Sequence, residues 1–106
     1  MRILLDQGTP SPLGPTLYGH EVRTAYQQGW AKLTNGELLS SAEGAGFDLL
    51  ITTDQNLRYQ QNLEHRKIAI LVLLTTSWPR IRQHVQSINR SVENCVPGTY
   101  IEVDVP

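Results

Sequence analysis

Asp6 follows the apolar run Ile3-Leu4-Leu5, and Asp54 follows Leu49-Leu50-Ile51-Thr52-Thr53. If both runs are strands of one parallel sheet, each carboxylate emerges at the carboxyl edge, where open α/β sheets bind ligands. A third acid, Glu37, lies in the first turn of an expected helix that starts at the same edge, with the amides of Gln7 and Asn56 nearby. Carboxylates gathered this way repel one another. Mg²⁺ or Mn²⁺, hard cations that favour carboxylate and water oxygens, relieve that repulsion. Asp6, Glu37 and Asp54 are therefore the candidate catalytic and metal-holding residues. A cation so held binds phosphate oxygens and activates water, which suits phosphodiester cleavage without a His or Ser nucleophile. Gln7, Asn56 and Arg58 are the candidate substrate contacts, with Arg58-Tyr59 able to hold a phosphate and stack a base.

Each of these residues also has an ordinary structural use. Asp54 can cap a helix beginning near Asn56, and Asp6 can close an Asx-type turn with Thr9. Glu37 stands three places after Thr34, the spacing of a capping box. A solvated helix face accounts for Arg58-Tyr59 equally well. His20, His65 and His84 show no paired zinc-ligand spacing and read as surface or turn residues.

With 106 residues, 18% of them charged, the chain has the size of one domain spanning 1–106. A net charge of −1 gives no global attraction to polyanions, so such a partner would be met locally. Cys95 is the only cysteine, which excludes an internal disulfide and multi-cysteine zinc patterns and fits a reducing compartment. The longest apolar stretch, 68–74, is too short to span a bilayer, and no signal-peptide core follows Met1-Arg2. A cytoplasmic protein without a membrane partner is the expectation.

The elements that must position the acids follow from periodicity. Strands are expected at 2–6, 21–25, 49–53, 68–74 and 99–105, with 21–25 the more exposed edge and 49–53 and 68–74 buried on both faces. Helices are expected at 35–45, 56–63 and, as one amphipathic segment, 78–92. Ser11 and Pro12 suggest the cap and first position of a short helix that Pro15 opposes. Trp30 is assigned to the core. This alternation implies a three-layer α/β/α fold with a mainly parallel sheet of about five strands.

Four segments carry a resemblance. Ile3-Leu4-Leu5-Asp6, Gly19-His20-Glu21-Val22, Asn35-Gly36-Glu37-Leu38-Leu39 and Leu50-Ile51-Thr52-Thr53-Asp54-Gln55-Asn56-Leu57 together resemble the small PIN-like proteins allied to toxin ribonucleases, over residues 1 to about 74. The resemblance implies a PIN-like fold, Mg²⁺- or Mn²⁺-dependent cleavage of RNA, and an antitoxin protein as partner. In that family the acid ending the first strand, an acid opening a middle helix and the acid after a later strand form the metal site. Those roles would fall on Asp6, Glu37 and Asp54.

Relatives commonly carry Asp-Glu-Asn and Asp-x-Asp-Phe where this chain has Asp6-Gln7-Gly8 and Asp54-Gln55-Asn56-Leu57. Fewer acids bind a cation less tightly. The alternative is thus a PIN-like module that binds RNA or a partner protein without turnover. Two other enzyme classes share strand-end acids but lack their required partners here. A phosphorelay receiver needs a Lys at the end of strand 5, yet no Lys follows Lys67; a haloacid-dehalogenase-like phosphatase needs a second acid where Gly8 stands. Self-association or antitoxin binding would use the polar face of 100–104 or the helix carrying Trp78.

Overall fold

Continuous apolar runs become central strands when helices cover both faces of a sheet. The computed structural model describes residues 1–60, 63 and 65–106. In it β1 (Arg2–Leu5), β2 (Glu21–Thr24), β3 (Leu49–Thr52), β4 (Ala69–Leu73) and β5 (Tyr100–Val103) form one sheet in the order β2-β1-β3-β4-β5. Every adjacent pair is parallel. All residues of β3 and β4 are buried, whereas β2 alternates exposed and half-buried positions, as expected of an edge strand.

The two-residue period of a strand sends alternate side chains to opposite faces. Ile3, Leu5, Leu49, Ile51, Leu71 and Leu73 point to one face. They pack there with Leu13 of a 3-10 helix (Ser11–Thr16) and with Ile81, Ile88 and Val92. Leu4, Leu50, Ile70 and Val72 point to the other, against Leu38, Leu39 and Ala42 of α1 (Asn35–Gly44) and Leu57 of α2 (Leu57–Gln60). Two apolar layers on one sheet make the three-layer α/β/α arrangement. Trp30 packs on the second layer and meets Phe47 edge-on, with ring centroids 6.0 Å apart.

Local signals explain where the helices start and stop. Thr34 Oγ1 accepts from the Glu37 amide while Glu37 Oε1 accepts from the Thr34 amide at 3.0 Å, a complete capping box. The helix ends before Gly46, whose φ of 82° is one that residues with a Cβ rarely adopt. The 3-10 helix begins at Ser11 with Pro10 ahead of it and no side-chain cap, so Ser11 is not the N-cap. Its bonds run from Leu13 N to Pro10 O and from Leu17 N to Gly14 O. Neither donor is a proline, which is how Pro12 and Pro15 are accommodated.

The segment expected as one helix at 78–92 is two: α3 (Trp78–Gln83) and α4 (Val85–Glu93). They meet at His84, whose φ of −121° is not helical and whose ring contacts the Pro106 carbonyl at 3.1 Å. A bend there still lets Ile81, Ile88 and Val92 all reach the sheet. Of the helix expected at 56–63, residues 57–60 are α2, while 61 and 62 lie outside the described residues. Among the described residues, no helix is long and apolar enough to cross a membrane.

Candidate functional site

The strand order creates a crevice. From β1 the chain steps outward to β2 through the 3-10 helix on one face, then returns across β1 to β3 through α1 on the other. The connections therefore diverge between β1 and β3, the topological switch point where open α/β sheets bind ligands beyond their carboxyl ends. Asp6 is the residue after β1, and Asp54 lies two places beyond the end of β3.

Asp6 is locked by the adjoining backbone and two hydroxyls. Its amide donates to Ile51 O at 3.1 Å, continuing the β1–β3 ladder. Thr9 Oγ1 donates to Asp6 Oδ1 at 2.5 Å, and Thr52 Oγ1 donates to Asp6 Oδ2. Thr9 and Thr52 are only 6% and 1% exposed, so these donors are fixed parts of the crevice floor. Burial pushes the Asp6 carboxyl above its ordinary range; the hydroxyl bonds oppose that rise, and the nearby Asp54 charge adds to it.

Asp54 is fixed from the other side. Its Oδ1 accepts from the Asn56 amide at 2.9 Å and its Oδ2 from Asn35 Nδ2, also at 2.9 Å. The Asp54 amide in turn donates to Thr52 Oγ1 at 3.0 Å. One hydroxyl, that of Thr52, therefore accepts from Asp54 and donates to Asp6. All four carboxylate oxygens have a protein donor, and each keeps further acceptor capacity. The turn expected of Asp6 with Thr9 is present alongside the pairing, while Asp54 accepts from the Asn56 amide ahead of α2, which begins at Leu57.

The third acid does not join them. Glu37 Oε1 is taken by the Thr34 amide and hydroxyl, and these bonds hold its carboxyl below the usual range. Among the described residues, no three acidic, histidine or cysteine side chains are grouped to hold a metal ion. Of the three expected acids, the structure links Asp6 and Asp54 through Thr52 and engages Glu37 at its own helix cap. The reason is local: a capping box needs only neighbouring residues, whereas a ligand at the switch point would have to leave its own helix end.

The candidate substrate contacts are distributed unevenly. Gln7 is exposed and lines an open cleft together with Asp6. Asn56 contributes its backbone amide to Asp54. Arg58 is held over the Tyr100 ring, 5.8 Å from its centroid, and 4.0 Å from Glu102, so it braces α2 against β5. The side chain of Tyr59 lies outside the described residues. His20, read from sequence as a surface or turn residue, has a side chain only 8% exposed. Its Nδ1 accepts from the Met1 ammonium at 3.0 Å, leaving Nε2–H to donate to Glu93 at 2.8 Å.

Thr52 and Asn35 are the positioning residues that sequence reasoning left out, whereas Thr9 was expected only as the partner of Asp6 in a turn. A signal for Thr52 existed, since a hydroxyl residue inside an otherwise apolar strand needs a partner. Asn35 carried none, because its link to Asp54 depends on how α1 docks. Gly8 also matters: a Cβ there would lie 3.2 Å from Thr53 Oγ1, the hydroxyl that donates to the Gly8 carbonyl.

The charge state of Asp6 gives a signed prediction. Because its folded-state pKa is raised, its stabilising contribution is fully present below the unfolded-state pKa and is lost as pH rises through the folded value. Asp6→Asn removes that loss, and the threonine hydroxyls can rotate to accept from the new amide. The variant is expected to exceed the natural chain in stability at neutral pH. The gain should shrink on acidification through the carboxylate range. Urea melts across that range check this, and a less stable variant at neutral pH contradicts it.

Fold and crevice together define a three-layer α/β protein with two hydrogen-bonded carboxylates at its switch point. Compared with known proteins, the chain matches no family model, no curated protein and no solved structure.

Proposed function

We propose that the chain is a Mg²⁺- or Mn²⁺-dependent ribonuclease of the toxin–antitoxin kind, cleaving RNA phosphodiester bonds. The observation that carries this reading is the coupling of Asp6 and Asp54 through Thr52 at the switch point. The donor set fits a hard cation: it is all oxygen, and Mg²⁺ is commonly held by one or two carboxylates with waters and substrate phosphates completing its shell. Asp6 and Asp54 would hold the ion, which would supply a polarised phosphodiester oxygen and a more acidic water.

The remaining roles belong to neighbouring side chains. Thr9 and Thr52 orient Asp6, and Asn35 orients Asp54, the kind of outer support that keeps ligating groups in place. Gln7, exposed beside Asp6, would contact the RNA. The resemblance adds an antitoxin partner to the reading; the single cysteine fits a cytoplasmic setting, and the polar face of 100–104 and the helix carrying Trp78 offer surfaces for self-association.

A second reading draws on a specific observation. Glu37 is committed to its helix cap, and every oxygen of the carboxylate pair already has a protein donor. That supports a PIN-like module that binds RNA or a partner protein without turnover. Cleavage of an RNA panel by the purified protein with Mg²⁺ or Mn²⁺ separates the two readings. The ribonuclease reading expects cutting that EDTA and Asp6→Asn each abolish. Absence of cutting, or activity that survives both controls, contradicts it.

A further inference from the structure

A turn and a helix share one face near the amino ends of the strands. Tyr18 is 76% exposed and stands beside an open cleft of about 450 Å³, lined by Tyr18 itself and by Val85, Gln86, Asn89, Arg90 and Glu93 of α4. In a helix, positions three and four apart are neighbours, so these five residues make one continuous face. Glu93 reaches His20, which holds Met1 ahead of β1, whereas Asp6 follows β1. The patch therefore reaches the opposite end of the sheet from the acid pair.

Tyr18 is held in this position by its neighbours. Asn89 Nδ2 donates to Thr16 O at 3.0 Å and to Val85 O at 2.9 Å, which fastens the end of the 3-10 helix to α4. Leu17 is buried on one side of Tyr18, and His20 is anchored two places beyond it. An aromatic presented on a braced turn loses little freedom when it is covered. Knob and hollow lie side by side on one face.

The charges on the rim select the occupant. Among the described residues Arg90 pairs with no acid. Glu93, whose Oε1 accepts from His20 at 2.8 Å, keeps 63% of its side chain exposed. A rim with one charge of each sign repels part of any strongly acidic or strongly basic partner. A second copy fits, because a two-fold axis passing across α4 runs the two helices antiparallel and turns Arg90 of each copy toward Glu93 of the other, while each Tyr18 meets the other's cleft. We infer that the chain pairs with a second copy of itself through Tyr18 and α4. This rests on the self-association in the proposed reading and names its surface. Such a pair leaves the crevice at Asp6 and Asp54 open.

The test is sedimentation equilibrium of the whole protein over a range of concentrations, with the fold of each variant checked by urea melts. The six residues lining the cleft are far fewer than the roughly 20–30 a side of a standard interface, so a dissociation constant on the order of micromolar or above is expected. Tyr18→Ala should raise it by roughly 30-fold or more, as for loss of a buried aromatic anchor. Arg90→Glu and Glu93→Arg should each sediment as monomers, because like charges then face each other across the axis. An equimolar mixture of these two variants should recover the dimer, since each charged contact in the mixed pair joins a Glu to an Arg. Arg82→Glu, on α3 and outside the patch, should pair as the natural chain does.

Pairing that needs Tyr18 and returns in the mixture upholds the surface. A dimer that Tyr18→Ala leaves unchanged, or a mixture that stays monomeric, overturns this surface alone. A natural chain that is monomeric at every concentration up to about 1 mM overturns both the surface and self-association. Cleavage of RNA by the same preparations is a separate readout, so none of these results decides the ribonuclease reading.

Discussion

Asp54→Asn is expected to lower Mn²⁺-dependent RNA cleavage by at least about 100-fold, the upper end of what is lost when only a supporting residue around a metal is removed. The fold should tolerate the change. Asn at 54 keeps a carbonyl oxygen for the Asn56 amide, and the Asn35 amide can turn over to accept from the new NH₂ group. Stability should therefore stay within about 0.5 kcal/mol of the natural chain, as for a substitution away from the core. Initial cleavage rates and urea melts on the same preparations separate loss of chemistry from loss of fold. Unchanged cleavage would remove Asp54 from the site.

Leu71→Ala has the largest expected effect on stability. Leu71 is 0% exposed at the centre of β4, in register with Ile51 of β3 and Ile101 of β5. Truncating it leaves a cavity between the sheet and the layer formed by the 3-10 helix, α3 and α4. Such changes cost about 2–5 kcal/mol. A domain of this size shifts its melting temperature by roughly 4–8 °C per kcal/mol, so a fall of about 10 °C or more should appear in a thermal melt. Ile101→Ala, on the half-buried edge strand β5, should cost less. Equal losses at the two positions would contradict the layer assignment.

Much of this architecture was legible because it depends on local period and composition. The runs at 49–53 and 68–74 announced central strands, and Thr34 with Glu37 announced the start of α1. The strand-end positions of Asp6 and Asp54 followed directly. What could not be read was the docking between elements. Arg2 lies over the Phe47 ring at 4.4 Å and binds the Ala45 carbonyl, and Arg66 pairs with Glu43 at 2.6 Å; nothing in the spacing of these residues indicates either tie.

The same limit bears on Glu37. Glu37 satisfied two sequence patterns at once, a helix cap and a ligand position, and the contact between near neighbours prevailed. Helix 78–92 was similarly one unbroken apolar stripe in sequence, and the contact of His84 with the Pro106 carbonyl accompanies its division. Thr52 carries the converse lesson. A polar residue within a buried strand turned out to join the two acids that sequence had already singled out.

The central claim is that Asp6 and Asp54 hold a divalent cation in the folded state. A ligand that binds only the folded chain stabilises it, by about 2.7 kcal/mol at one hundred times its dissociation constant. The measurement is the melting temperature with and without saturating Mn²⁺, for the natural chain and for Asp54→Asn. A rise in the natural chain that disappears in Asp54→Asn is the predicted result; an unchanged melting curve in both, or an equal rise in both, contradicts it.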